Sequence, residues 1–343
     1  MGVHISIDEL KGIVTRAFVA NGTSQHNAGI VAHVVVMAER DSCRSHGVFR
    51  MPGYIASLRS GWLDGQARPQ VIDKGAGAIQ ADAANGFTQV AMDAARPLLI
   101  ERARANGIAG LGIHNGHHFA ALWPDVEDLA DAGLVAITFV NGRSRIAPWN
   151  AKRKIFGTNP MAFACPRKGT APLVWDQASS VVAVGEVLLA SREGKTLHEG
   201  IGIDASGKPT IDPKAVLAGG ALLAFGGHKG SSIAAMVEIM AAAVSGGEFG
   251  IEDRSAGVAG AETSRSSQFV IAIDAERFAG SGFLARVDFL LSNVISAGVD
   301  RLPGDRRRIA RRKSEKEGIE LDQKTHDYLL SLANGPASAP SKR

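Results

Sequence analysis

A serine and a histidine stand side by side at Ser45-His46, with Arg50 four residues beyond the histidine, in the stretch Asp41-Ser42-Cys43-Arg44-Ser45-His46-Gly47-Val48-Phe49-Arg50. Imidazole gives or takes a proton near neutral pH, and guanidinium holds a carboxylate in a planar two-pronged grip. If the segment enters or continues a helix, His46 and Arg50 project from one face about one turn apart. An acid/base and a cation then share a site, which suits a 2-oxo or 2-imino acid. On spacing alone the plainer reading, a helix start with a solvated face, is favoured.

Other stretches carry weaker chemistry. Gly110, Gly112 and Gly116 are spaced G-x-G-x-x-x-G, one residue off the dinucleotide fingerprint, and no other window supplies strand, G-x-G-x-x-G and helix together, so an ordinary Rossmann fold is not expected. His114, His117 and His118 invite a zinc reading, but no Cys or Glu at ligand spacing accompanies them, and no metal site is assigned. Asp176-Gln177-Ala178-Ser179-Ser180 follows the strand Leu173-Val174-Trp175, and ligands tend to sit at such strand ends. Phe225-Gly226-Gly227-His228-Lys229-Gly230-Ser231-Ser232 leads into a helix from Ile233 to Val244, a modest phosphate-cradle signal without Walker spacing. The arginine-rich stretch from Leu302 to Lys313 reads either as a solvated face or as a grip on the 2′-phosphate of NADP.

These residues need a sizeable frame, and 343 residues supply it, enough for two domains or one elaborate one. With 45% hydrophobic and 21% charged residues and 40 glycines, the composition is that of an α/β protein with many tight turns. The two cysteines, Cys43 and Cys165, make no disulfide framework, and no apolar run resembles a signal peptide or membrane span, so a reducing cytoplasm is the default expectation. A net charge of +4 is weak support for nucleic-acid binding.

Periodicity places helices around Leu10 to Phe18, Ala28 to Ala38 (Ser24 as cap), Tyr54 to Leu58, Phe87 to Ala105 (ending at Asn106-Gly107), Leu122 to Ala132 and Asp322 to Ala333. Strands are expected in Val71 to Ala81, Leu134 to Val140, the run out of Gly157-Thr158-Asn159-Pro160, Leu173 to Trp175, Phe269 to Asp274 and Val287 to Leu291. Asn334 to Arg343 is expected to be disordered.

Taken jointly, Ser45-His46-Gly47-x-x-Arg50, Gly116-His117-His118-Phe119, Gly157-Thr158-Asn159-Pro160, Asp176-Gln177-Ala178-Ser179-Ser180 and Gly226-Gly227-His228-Lys229-Gly230 resemble the malate/L-lactate dehydrogenase family of the non-Rossmann type, over about residues 5 to 330. Within it, Trp175 to Ser180 and Ala224 to Ser232 are most similar to the Δ1-piperideine-2-carboxylate/Δ1-pyrroline-2-carboxylate reductases. The resemblance implies a mixed, largely antiparallel sheet in an unusual NAD(P)-binding domain (76–302), a helical domain from both chain ends (1–75 and 303–343), and a homodimer. It implies His46 as proton donor with Ser45 and Glu186 as its relay, Asp176 being the competing carboxylate, and Arg50, Thr158, Ser179 and Ser180 at the substrate. For the cofactor, NADPH, it implies His118, Phe119, Ala120, Ala121, Leu122, Asp176, Gln177, Ala178, His228, Lys229 and the turn Gly304, Asp305, Arg306, Arg307, Arg308. The expected reaction is reduction of the C=N bond of a cyclic imino acid to L-pipecolate or L-proline. The alternatives are a malate-, lactate- or ureidoglycolate-type dehydrogenase and, more distantly, a basic nucleic-acid-binding protein.

Overall fold

Ser6 and Ser24 open the helices Ile7–Ala20 and Gln25–Arg40, their hydroxyls accepting from the amides of Glu9 (3.1 Å) and Asn27 (3.2 Å). The inward stripes, Leu10, Ile13, Val14 and Phe18 on the first and Val31 and Val35 on the second, meet Leu329 and Leu332 of the helix Gln323–Ala333. The two chain ends thus share one hydrophobic cluster. They are also joined by an antiparallel pair of strands, Gly2–Ile5 with Ile319–Asp322, which periodicity in such short runs does not reveal. The computed structural model describes residues 2–334, so the tail expected to be disordered lies, apart from Asn334, outside the described residues.

The larger core belongs to a seven-stranded sheet ordered Gln70–Gly75, Ala78–Asp82, Ile108–Gly116, Ser266–Ile273, Val135–Val140, Met161–Arg167, Thr170–Gln177. Only the pair Ala78–Asp82 and Ile108–Gly116 runs parallel, so the sheet is mixed and largely antiparallel, as expected. Gln70–Gly75, which the division at residue 75 puts with the helical part, is the edge strand of this sheet. The helices Thr88–Asn106 and Trp123–Asp131 cover one face, burying Leu99, Trp123, Val126 and Leu129 against Leu111 and Ile113. Gly107 closes the first of them at φ 85°, a left-handed C-cap.

The glycines of the G-x-G-x-x-x-G run lie within a strand. A Cβ on Gly112 would come within 3.0 Å of the Ser245 backbone, and one on Gly116 would strike the Thr88 hydroxyl at 2.5 Å. They are packing glycines, which let the neighbouring segments approach the strand closely.

Two expectations are corrected. Val287 to Leu291 is helical, inside Phe283–Ser296, where Leu284, Val287 and Leu291 follow the helical period; a short apolar run cannot be told from a strand by hydrophobicity alone. The helix expected from Ile233 begins at His228, directly after Gly227, and widens into a π-helical turn over Ile239–Val244. A smaller four-stranded sheet takes up Ile146–Ala147, which in chain order falls between the main-sheet strands Val135–Val140 and Met161–Arg167.

Candidate active site

The helix Gln25–Arg40 delivers the Ser-His pair. Its last residues are anchored by Asp41, whose buried carboxylate accepts from Arg311 Nη2 at 2.7 Å, while the same nitrogen reaches Glu127 at 2.8 Å. The chain beyond Asp41 does not continue as a helix. Arg44–His46 and Val48–Arg50 are separate 3₁₀ turns, broken at Gly47 (φ −91°, ψ −138°), so one-turn helical spacing does not join His46 and Arg50. They converge by another route: Arg50 Nε donates to the Ser45 carbonyl at 2.8 Å, folding the guanidinium back over the turn. The Ser45 hydroxyl and His46 Nδ1 lie 2.9 Å apart, which fixes the ring and leaves Nε2 for a ligand. Burial, and secondarily the Arg50 cation, push the imidazole down to about 4.

Glu39 lies beneath this turn, and sequence reading missed it. Its Oε1 accepts from the Val48 amide at 2.8 Å, and a Cβ on Gly47 would collide with its carboxylate. Glycine is therefore required after His46 by close approach. Burial pushes Glu39 up to about 7, opposed by the Val48 hydrogen bond and by Arg44.

The turn forms one side of a cleft of about 640 Å³, within the usual range for small-molecule sites. His118, Phe119, Ala120, Ala121 and Leu122 line it, with Asp176, Gln177, Ala178 and Thr158. His118 is pushed down to about 3, by burial and by proximity to His46, and its Nε2 is buried without a partner. Asp176 binds the lining together: it accepts from Arg307 Nη1 at 3.1 Å and from the amides of Leu122 and Trp123. Burial nevertheless holds its carboxyl above the usual range.

Among the arginines of the basic stretch, only Arg306, itself exposed, lines the cleft. Arg307 is taken by Asp176 and the Val174 carbonyl and lies over the Trp123 ring, and Arg308 pairs with Asp305 at 3.1 Å. Ser179 and Ser180 are buried behind the wall: the Ser179 hydroxyl donates to the Asn159 carbonyl and that of Ser180 to the Val182 carbonyl, each at 2.7 Å. Glu186 is exposed and outside the lining, although Ala183, Val184 and Gly185 before it belong to the lining. His228 and Lys229 are exposed at a helix start, and they and Gly304 lie outside the lining.

A buried carboxylate, Glu238, organises the remaining wall. It accepts from Asn141 Nδ2 (3.2 Å), Asn159 Nδ2 (2.7 Å) and the Gly250 amide (2.7 Å), tying Asn141-Gly142 to the Thr158 loop. Nothing in the local pattern distinguishes Glu238 from a surface acid. The π turn beginning at Ile239 immediately follows it, and such turns recur at functional sites.

The match to the malate/L-lactate dehydrogenase family model spans residues 5–330. The chain belongs to this family. A relative from Pseudomonas putida, a Δ1-pyrroline-2-carboxylate/Δ1-piperideine-2-carboxylate reductase, is 48% identical over 330 residues, 96% of this chain and 97% of the relative. A (2R)-3-sulfolactate dehydrogenase (NADP+) from Chromohalobacter salexigens is 38% identical, covering 97% of this chain and 99% of its own. The crystal structure of Δ1-piperideine-2-carboxylate reductase from Pseudomonas syringae pv. tomato superposes with a TM-score of 0.94 at 46% identity, over 96% of this chain and 99% of that one.

Proposed function

We propose that this family member is an NADPH-dependent reductase of cyclic imino acids, converting Δ1-piperideine-2-carboxylate to L-pipecolate and Δ1-pyrroline-2-carboxylate to L-proline. The observation that carries the reading is the convergence of Arg50 on the Ser45-His46 turn within one cleft, in a chain nearly half identical to reductases of that name.

Arg50 spends Nε on the Ser45 carbonyl, leaving its terminal nitrogens to grip the 2-carboxylate, with Thr158 beside it in the lining. His46 Nε2 faces the ring nitrogen and supplies its proton. In the free cleft burial and Arg50 keep the imidazole neutral at pH 7; a bound carboxylate cancels the Arg50 charge and raises the proton affinity of His46. Ser45 holds the ring, and Glu186, next to the lining residue Gly185, is the relay carboxylate of this reading. Asp176, given to Arg307 and two amides, serves the cofactor side.

The lining fits a dinucleotide: apolar Phe119 to Leu122 for a flat ring, the unpartnered His118 Nε2, and the exposed Arg306 for a 2′-phosphate. Reduced nicotinamide supplies the hydride when bound. His228 and Lys229 extend the same site at the start of their helix.

The separate hydrophobic clusters support two domains, a helical one from both chain ends and an α/β one. Among the described residues no helix is long and apolar enough to cross a membrane. A cytoplasmic homodimer is part of the proposal. Nucleic acid is not, since Arg307, Arg308 and Arg311 of the basic helix are occupied by internal carboxylates.

The second reading, a 2-hydroxy-acid dehydrogenase, is favoured by the similarity to the Chromohalobacter enzyme. Chiral chromatography after incubation with each imine and NADPH tests the first reading. L-pipecolate or L-proline is expected, and absence of both contradicts it.

A further inference from the structure

The helix Asp305–Glu317 reaches two separate parts of the cleft through two arginines. Arg307 and Arg311 stand four residues apart and project from one face, and both guanidiniums lie over the Trp123 ring, 5.1 and 5.5 Å from its centroid. There they part. Arg307 goes to the lining residue Asp176, and Arg311 goes to Asp41, the residue that ends the helix Gln25–Arg40. Arg311 Nε donates to Asp41 Oδ1 at 3.1 Å and Nη2 to Oδ2 at 2.7 Å, a forked grip on a carboxylate whose side chain is fully buried. The Ser314 hydroxyl adds a bond to the Arg40 carbonyl at 2.8 Å.

Charge balance alone does not call for this grip, because Arg40 already pairs with Asp41 at 2.7 Å. What depends on Arg311 is where Asp41 stands relative to the basic helix. His46 follows Asp41 by five positions, Ser42 between them has φ 57°, and neither 3₁₀ turn, Arg44–His46 or Val48–Arg50, has a side-chain cap. The catalytic turn is therefore held from its two ends, at Asp41 and at the bond from the Val48 amide to Glu39. Five positions before Arg311 on the basic helix, Arg306 lines the cleft. One ion pair thus joins the helix that presents Arg306 to the residue from which the catalytic turn departs.

We propose that Arg311 is a positioning residue that couples occupancy of the 2′-phosphate site to substrate binding, by holding the Ser45-His46 turn in register with the helix that carries Arg306. This rests on the reading of Arg306 as the 2′-phosphate contact, and the test separates the two. Each ligand orders the shared helix and turn, so the second to bind meets less of that cost, and linkage makes the effect reciprocal.

Adenosine 2′,5′-bisphosphate carries the phosphate but has no nicotinamide to touch a ligand at Arg50. Calorimetry measures the affinity of pyridine-2-carboxylate, a flat unreactive ring with one carboxylate, with and without saturating bisphosphate. In wild-type protein the bisphosphate should tighten that binding by about five- to a hundredfold, the usual range of coupling between sites. The effect should vanish in Arg311→Gln and be partly kept in Arg311→Lys, which retains the charge without the fork. Arg311→Gln also leaves Glu127 without its partner at 2.8 Å, so Arg311→Gln combined with Glu127→Gln is measured beside it, with thermal melts to follow the fold. A purely structural Arg311 would weaken each ligand alone and leave the coupling unchanged. No coupling in wild-type protein, or the same coupling in both Arg311→Gln forms, overturns the proposal. If Arg306→Ala binds the bisphosphate as wild type does, the phosphate reading itself has failed, and the proposal falls with it.

Discussion

Arg307 Nη1 donates to Asp176 at 3.1 Å, and this pairing divides the arginines of the basic stretch by task. Arg307 braces the strand end and the Leu122–Trp123 turn through Asp176, whereas Arg306 faces the cleft. Arg306→Ala should therefore lower kcat/KM for NADPH by about ten- to a hundredfold and leave NADH almost unaffected. Arg307→Ala should reduce both cofactors alike and lower stability, because it leaves a buried carboxylate unpaired. Steady-state kinetics with each cofactor decide this; equal losses in Arg306→Ala would remove Arg306 from the 2′-phosphate.

Carboxylate binding beside Arg50 should draw a proton onto His46. The imidazole is held near 4 by burial and by the Arg50 charge, and a carboxylate on that charge reverses part of the shift. Calorimetry of pyridine-2-carboxylate near pH 6, in buffers of different ionisation enthalpy, should show net proton uptake that vanishes in His46→Asn. Zero uptake in wild-type protein would mean that the cleft does not couple the two groups.

Much of this arrangement was legible in the chain. The serine caps, the Asn106-Gly107 stop and the hydrophobic period of the terminal helices follow from local chemistry, whereas the Ser-His-Arg cluster, which spacing alone left as a solvated helix start, was picked out by the joint motif resemblance. Other parts were hidden for physical reasons. Gly110 and Gly112 obscure a strand because close packing there forbids side chains, and Phe283–Ser296 hid its helix in an apolar run. Glu39 and Glu238 look like ordinary polar residues until tertiary packing buries them. The arginines were read as one group because sequence does not reveal which guanidinium finds a carboxylate.

Glu39 gives a stability signature with a definite sign. Its folded value, about 7, lies above the ordinary 4.5, so the folded state holds the proton more tightly than the unfolded chain. That contribution is fully present below about 4.5 and is lost as pH rises through about 7. Relative to Glu39→Gln, wild-type protein should lose up to about 3 kcal/mol of unfolding free energy between pH 4.5 and 7.5. Denaturant titrations at both pH values measure it, and parallel pH profiles for the two proteins would refute it.

Glu238→Ala should remove one acceptor from the side-chain amides of Asn141 and Asn159, which keep the Glu248 and Ala234 carbonyls, and the acceptor of the Gly250 amide. A loss above about 2 kcal/mol is expected, together with a raised substrate KM as the Thr158 loop loosens. Unchanged KM in a destabilised variant would confine Glu238 to stability.

The most direct measurement is NADPH oxidation by the purified protein, followed at saturating cofactor with Δ1-piperideine-2-carboxylate, Δ1-pyrroline-2-carboxylate, pyruvate and oxaloacetate, in wild-type and His46→Ala forms. The cyclic imines should give the higher kcat/KM, and His46→Ala should lower it by about 10²–10⁴-fold, the usual worth of positioned acid catalysis. Faster turnover of the 2-oxo acids, or imine reduction that survives loss of His46, would contradict the account.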